Sequence, residues 1–163
     1  MKPELHRPVR ADQVGAQGLS ELVEANAAER AAVAGRLGVP SIQALTCRFD
    51  LTQEPGGRIG ATGELRARLT RICVVTLDAF ETDVKERFRV DFVAEDTEAD
   101  EDPESVDEIP MKGGVIDLGE AAVEQLALGL DPYPRKPGAS LPDEASTPPE
   151  TPFAALAALK RRQ

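Results

Sequence analysis

Apolar and polar positions alternate along this chain with two different periods, and the change of period divides it into elements. Leu45, Cys47, Phe49 and Leu51 recur at a spacing of two, and a Glu-Pro-Gly-Gly turn signal follows at 54–57. Ile59, Ala61, Gly63, Leu65, Ala67 and Leu69 resume the alternation. After a strand-like Cys-Val-Val-Thr-Leu stretch at 73–77, residues Thr82, Val84, Phe88, Val90 and Phe92 keep one parity, and only Glu86 breaks it. Three or four antiparallel strands are therefore expected between about 42 and 93, with one face buried.

Helical spacing takes over on either side. Asn26 and Glu29 form an Asn-x-x-Glu capping pattern that predicts a helix over 27–37, ended by Gly38 and Pro40. Leu19 to Ala25 fits either a strand or an early start of that helix. The stretch 115–135 reads as a short apolar strand followed by an amphipathic helix. Asp117 is placed to accept hydrogen bonds from the free N–H groups of its first turn, and Glu120 adds negative charge there. Ala122, Val123, Leu126, Ala127 and Leu130 make its apolar stripe, and Pro132 and Pro134 forbid its continuation.

Between and around these elements the composition changes. Residues 1–18 carry turn formers and mixed charge and are expected as a flexible N-terminal arm. A single α+β domain over 19–131 follows, interrupted by an acidic loop at 94–110. Within that loop, residues 94–108 hold nine acids and no base, a run that repels itself. Residues 131–152 hold seven of the thirteen prolines, so 132–151 is expected as an extended linker. Thr151 and Pro152 then start a short C-terminal helix over 152–163, with Phe153, Leu156 and Leu159 on one face. A helix of that length is marginal alone in water, where roughly 12–15 residues are needed, so its apolar face must dock on something. The expected fold class is α+β: an antiparallel meander, flat or curled toward a barrel, packed with two to three helices.

Composition narrows the functional classes. With 163 residues and few aromatics (five Phe, one Tyr, no Trp), the core is expected to be modest and aliphatic. A formal net charge of −10 argues against a protein that coats nucleic acid, without excluding a local basic face. No apolar run is long enough for a membrane span, and the N-terminus lacks the apolar core of a secretory signal. Two cysteines without a framework fit a reducing compartment, so a cytoplasmic protein is expected.

Reactive chemistry is scarce. His6 is the only histidine, so with Cys47 and Cys73 it makes three metal ligands at most, against the four of a structural zinc site. Both cysteines lie in strand-like segments and read as small buried apolar side chains. A nucleophilic Cys73 would lack a nearby histidine base, and no phosphate-cradling glycine motif occurs. No enzyme activity, cofactor or metal is expected. The constellation that stands out is basic. Arg66, Arg68, Lys85, Arg87 and Arg89 all point opposite to the apolar parity, among Glu64, Glu81, Asp83 and Asp91. Such a face is either a mixed solvated surface of cross-strand pairs or a contact for RNA backbone or a protein partner. A second cluster, Lys160, Arg161 and Arg162, closes the last helix.

The order of several segments resembles the YceD family, the large ribosomal RNA subunit accumulation proteins, and most closely its alpha-proteobacterial branch. Those segments are Glu29 and Arg30 in the first helix, Cys73 to Leu77, Ile116 to Glu120, Gln125 to Arg135, and the closing Phe153 to Lys160. The resemblance implies a non-enzymatic role in accumulation of large-subunit ribosomal RNA, through binding of precursor RNA or of an assembly particle. It also favours a strand at 19–25. The family offers no agreed catalytic residues to carry over. The alternative is an acidic protein–protein adaptor that engages a basic ribosomal protein without touching RNA.

Overall fold

A computed structural model of the chain describes residues 3–97 and 105–141. Seven strands and two α-helices follow in the order β1 (Pro8–Arg10), β2 (Leu19–Glu24), α1 (Ala27–Leu37), β3 (Ser41–Glu54), β4 (Arg58–Ile72), β5 (Ala79–Ala94), β6 (Asp107–Met111), β7 (Val115–Asp117) and α2 (Leu118–Gly129). Strands β2 to β6 form one sheet in sequence order. β2 through β5 run antiparallel and β6 lies parallel to β5. The fold is α+β, and its sheet stays open rather than closing into a barrel.

The alternation of period two places the core. Leu45, Cys47, Phe49 and Leu51 of β3 and Ile59, Ala61, Leu65, Ala67 and Leu69 of β4 are buried on one face of the sheet. α1 and α2 pack there, α2 through Leu118, Ala122, Val123 and Leu126. The opposite face holds the intervening polar residues and is open to solvent.

The helix starts are built as the spacing requires. Asn26 Oδ1 accepts the Glu29 N–H at 3.0 Å, and Glu29 Oε2 accepts the Asn26 N–H at 2.8 Å. This reciprocal pair satisfies two N–H groups that α1 leaves free. Gly38 closes the helix at φ 65°, a left-handed conformation that glycine adopts without a Cβ penalty.

The N-terminal stretch, expected as an arm, is tied into the domain. Leu5 and Val14 are fully buried, and β1 pairs antiparallel with β7. Arg7 forks onto both oxygens of Glu29 at 2.8 and 2.9 Å. Arg36, in the last turn of α1, bonds Glu120 at 2.6 Å and Glu4 at 3.1 Å. At the first turn of α2 the N-terminal backbone passes so close that a Cβ on Gly119 would lie 2.4 Å from the Leu5 carbonyl oxygen. Isolated apolar residues in a polar stretch carry no period, so neither Leu5 nor Val14 announces its burial.

Asp117 joins these pieces. Its Oδ1 accepts N–H groups from Arg7 at 2.9 Å, Gly119 at 3.1 Å and Glu120 at 3.3 Å, and its Oδ2 lies 2.5 Å from His6 Nδ1. Burial alone would raise the Asp117 carboxyl, but the Arg7 N–H, the His6 contact and the Glu120 N–H outweigh it and hold the carboxyl below its ordinary 3.8. A lowered folded value means stabilisation that is present above the unfolded value and lost as pH falls through the folded one. Asp117→Ala is therefore expected to cost about 1–2 kcal/mol at neutral pH. In denaturant titrations the gap to wild type should narrow below pH 3.8. A gap that does not change with pH would exclude the ionised cap as its cause.

Three segments depart from the alternation pattern. Residues 73–78 form a turn, not a strand: the Cys73 N–H donates to Asp78 O at 2.8 Å and the Leu77 N–H to Cys73 O at 2.9 Å. Within the acidic stretch, residues 107–111 form β6, which buries Met111 and pairs Glu108 with Arg58. The start of the proline-rich stretch is held against the 73–78 turn, where the Val74 N–H donates to Pro134 O at 2.9 Å. Residues 98–104 of the acidic loop, the linker beyond 141 and the segment 152–163 lie outside the described residues.

Candidate nucleic-acid interface

The sheet register brings the five sequence-predicted cations of β4 and β5 onto one exposed face. Thr62 faces Arg89, Glu64 faces Arg87, Arg66 faces Lys85 and Arg68 faces Asp83. β3 extends the same rungs, placing Arg48 opposite Glu64 and Thr46 opposite Arg66. Residues directly opposite on antiparallel strands hold their Cβ atoms about 4.5–5.5 Å apart, so these side chains form one patch.

Part of this positive charge is balanced. Arg68 Nε bonds Asp83 at 2.9 Å, which holds the Asp83 carboxyl below its ordinary range. Arg87 meets Glu64 at 2.8 Å while 81% of its side chain stays exposed. Arg89 meets Glu54 at 3.0 Å and Asp91 at 3.6 Å. Exposed pairs of this kind are worth about 0–1 kcal/mol, so they leave the guanidinium groups available.

The centre of the patch is unbalanced. Arg66 and Lys85 face each other directly, and neither has an ion-pair partner among the described residues. Arg48, one rung away on β3, also lacks one. Like charges directly opposite cost stability, in a chain whose net charge is −10. Here neither side chain forms an ion pair among the described residues, although the Lys85 charge acts on nearby Asp83.

Arg48 of β3 is a further cation of this face, beyond those that the parity of β4 and β5 predicts. Its signal was present, since it falls between Cys47 and Phe49 and so points away from the core. The patch lacks stacking aromatics among the described residues. Phe49, Phe88 and Phe92 lie on the inner face, with Phe49 and Phe88 ring centroids 5.7 Å apart at 75°. The surface can therefore hold phosphates but has no platform for splayed bases. Lys160, Arg161 and Arg162, the remaining candidate contacts, lie outside the described residues.

The cysteines are separate from this face. Cys47 is buried in β3, and burial pushes its thiol up to about 12. Cys73 is buried in the turn, where its Sγ accepts N–H groups from Thr76 at 3.4 Å and Lys136 at 3.3 Å. A side-chain hydrogen bond from Thr76 leads the causes that bring its thiol down to about 7, ahead of the opposing effect of burial. His6 is engaged with Asp117. Among the described residues no group of three or more His, Cys, Asp or Glu could hold a metal ion.

A family model described as large ribosomal RNA subunit accumulation protein YceD matches residues 61–160. The chain belongs to the YceD family. The YceD match begins in β4 and takes in β5, the 73–78 turn and α2, so Arg66, Arg68, Lys85, Arg87 and Arg89 lie inside it and Arg48 outside. Comparison with curated proteins and with solved structures gave no significant match. No helix among the described residues is long and apolar enough to cross a membrane.

Proposed function

We propose that this protein acts in the cytoplasm as a non-enzymatic factor for accumulation of large-subunit ribosomal RNA, and binds precursor RNA or an assembly particle through the outer face of its sheet. The family membership supports the broad role. The single observation that supports the binding surface is the like-charged rung of Arg66 and Lys85, which form no ion pair among the described residues and are flanked by Arg48, Arg68, Arg87 and Arg89. Phosphate contacts from such side chains fix position on a nucleic-acid backbone without reading sequence. The absence of stacking aromatics from this face among the described residues favours folded RNA, recognised by shape, over extended single strands. The proline-linked terminal cations are not needed for this reading.

Depletion of the protein tests the role. The expected result is a fall in large-subunit RNA and in the ratio of large to small subunits. Unchanged RNA and an unchanged ratio would dispose of the proposal.

A further inference from the structure

Strand β5 is much longer than the strand that flanks it. β6 pairs only with residues 90–94, so 79–89 forms an open sheet edge. Among the described residues, no other segment makes a backbone hydrogen bond to this edge. Its inward-facing Phe80, Val84 and Phe88 stay half-buried, although Ala67, opposite Val84 on β4, is buried. A groove of about 490 Å³ lies along it and touches outward-facing Asp83 and Lys85 as well as inward-facing Thr82 and Val84.

An open edge is a template for another strand, and sheets commonly blunt such edges with charge. β2, at the other end of the sheet, carries Glu21 and Glu24 and no base, so it repels its own copy. The open edge of β5 is balanced instead: Glu81, Asp83 and Glu86 are matched by Lys85, Arg87 and Arg89. The groove is balanced too, with Arg71, Lys85 and Arg135 against Asp83, Glu86 and Asp131. In a chain of net charge −10, a neutral stretch is where two copies meet with least repulsion.

The order of these charges selects the partner. The Cys73 N–H donates to Asp78 O at 2.8 Å, which sets the alternation of the β4–β5 ladder. Even-numbered residues of β5 therefore bond β4, and odd-numbered ones direct their N–H and C=O to the open edge. An antiparallel copy must set odd residues against odd. With a two-fold axis at Val84, the midpoint of 79–89, Asp83 faces Lys85 and Glu81 faces Arg87 in both directions. Phe80 then faces Phe88, Ala79 faces Arg89, and the inward-pointing Glu86 faces Thr82. No like charges meet. Moving the axis by one residue either way sets Asp83 or Lys85 against itself. Glu81 and Lys85, which form no ion pair among the described residues, each gain a partner.

We propose that two copies of this chain pair antiparallel along residues 79–89 of β5, about a two-fold axis at Val84, and join their sheets into one. Antiparallel edge pairing keeps each face of the sheet on its own side. The basic outer faces therefore lie side by side, and the half-buried inner residues gain cover. The proposal does not depend on RNA binding.

Sedimentation of the full chain tests it. Wild type is expected to shift with rising concentration from one chain to two. Glu81, opposite the uncharged Thr70 within its own chain, can be reversed without breaking an internal pair. Glu81→Arg and Arg87→Glu each set like charges on two rungs of the dimer, so each should weaken self-association at least about tenfold. Mixing the two variants restores opposite charges on both rungs, and a dimer with one copy of each should form. Wild type that stays monomeric at every concentration, or self-association that neither variant weakens, would overturn the proposal. A mixture no more associated than each variant alone would overturn it as well. Glu81→Arg removes no cation from the outer face, so loss of pairing is distinguishable from loss of RNA association.

Discussion

Phe49→Ala is expected to lower the unfolding free energy by about 3–5 kcal/mol, the usual cost of removing a large buried ring. Phe49 is fully buried at the middle of β3, and its ring meets that of Phe88 edge-to-face. The two residues do not sit on adjacent strands. Gly63 of β4 lies between them on the same rung, opposite Phe49 on one side and Phe88 on the other. The missing side chain at 63 lets the rings meet over the strand, since a Cβ there would lie 2.1 Å from Phe88 Cζ. The ring pair adds about 0.5–1.5 kcal/mol beyond its buried area, and the variant loses that too. Against a typical domain stability of about 5–15 kcal/mol, the change is large enough to leave a substantial unfolded population. Urea titration at neutral pH measures it. A loss below about 1 kcal/mol would mean that the aromatic contact is not part of the core.

Lys85→Glu should behave in the opposite way. It replaces a repulsive rung with an Arg66–Glu pair, so stability should hold or rise by about 0.2–1 kcal/mol. RNA association should fall, together with its salt dependence, because a phosphate contact is replaced by repulsion. Combined with Arg66→Glu, the loss of RNA association is expected to reach at least about tenfold. The double variant exchanges one like-charge pair for another, so its stability should stay close to wild type. Loss of binding without loss of folding separates a functional surface from a structural one. The same substitution in a merely solvated face would change neither RNA association nor its response to salt.

The long strands β3, β4 and β5 and both helices could be read from periodicity because each repeats its signal. Leu45 to Leu51 and Ile59 to Leu69 announce a buried face several times over, and Asn26 with Glu29, or Asp117 before Leu118, marks a helix start by a local hydrogen-bond requirement. The features that escaped depend on single residues or distant partners. Leu5 is buried because Gly119, far along the chain, leaves room for its backbone. β6 forms in an acidic stretch because Met111 finds the core and Arg58 takes Glu108. The Val-Val-Thr run after Cys73 has strong strand propensity, yet it turns so that β5 can return along β4. The basic face was readable for β4 and β5 because parity assigns a face without knowing the partner. Its extension to Arg48 required the β3–β4 register, which sets which rung each residue joins.

The most direct measurement of the central claim is RNA crosslinking of the full chain in cells, comparing wild type with the Arg66→Glu and Lys85→Glu double variant at equal abundance. The account predicts that large-subunit precursor RNA crosslinks to wild type and that the yield falls at least about tenfold in the variant. Wild-type protein that carries no crosslinked RNA, while holding protein partners that survive nuclease treatment, would contradict it and favour the adaptor instead.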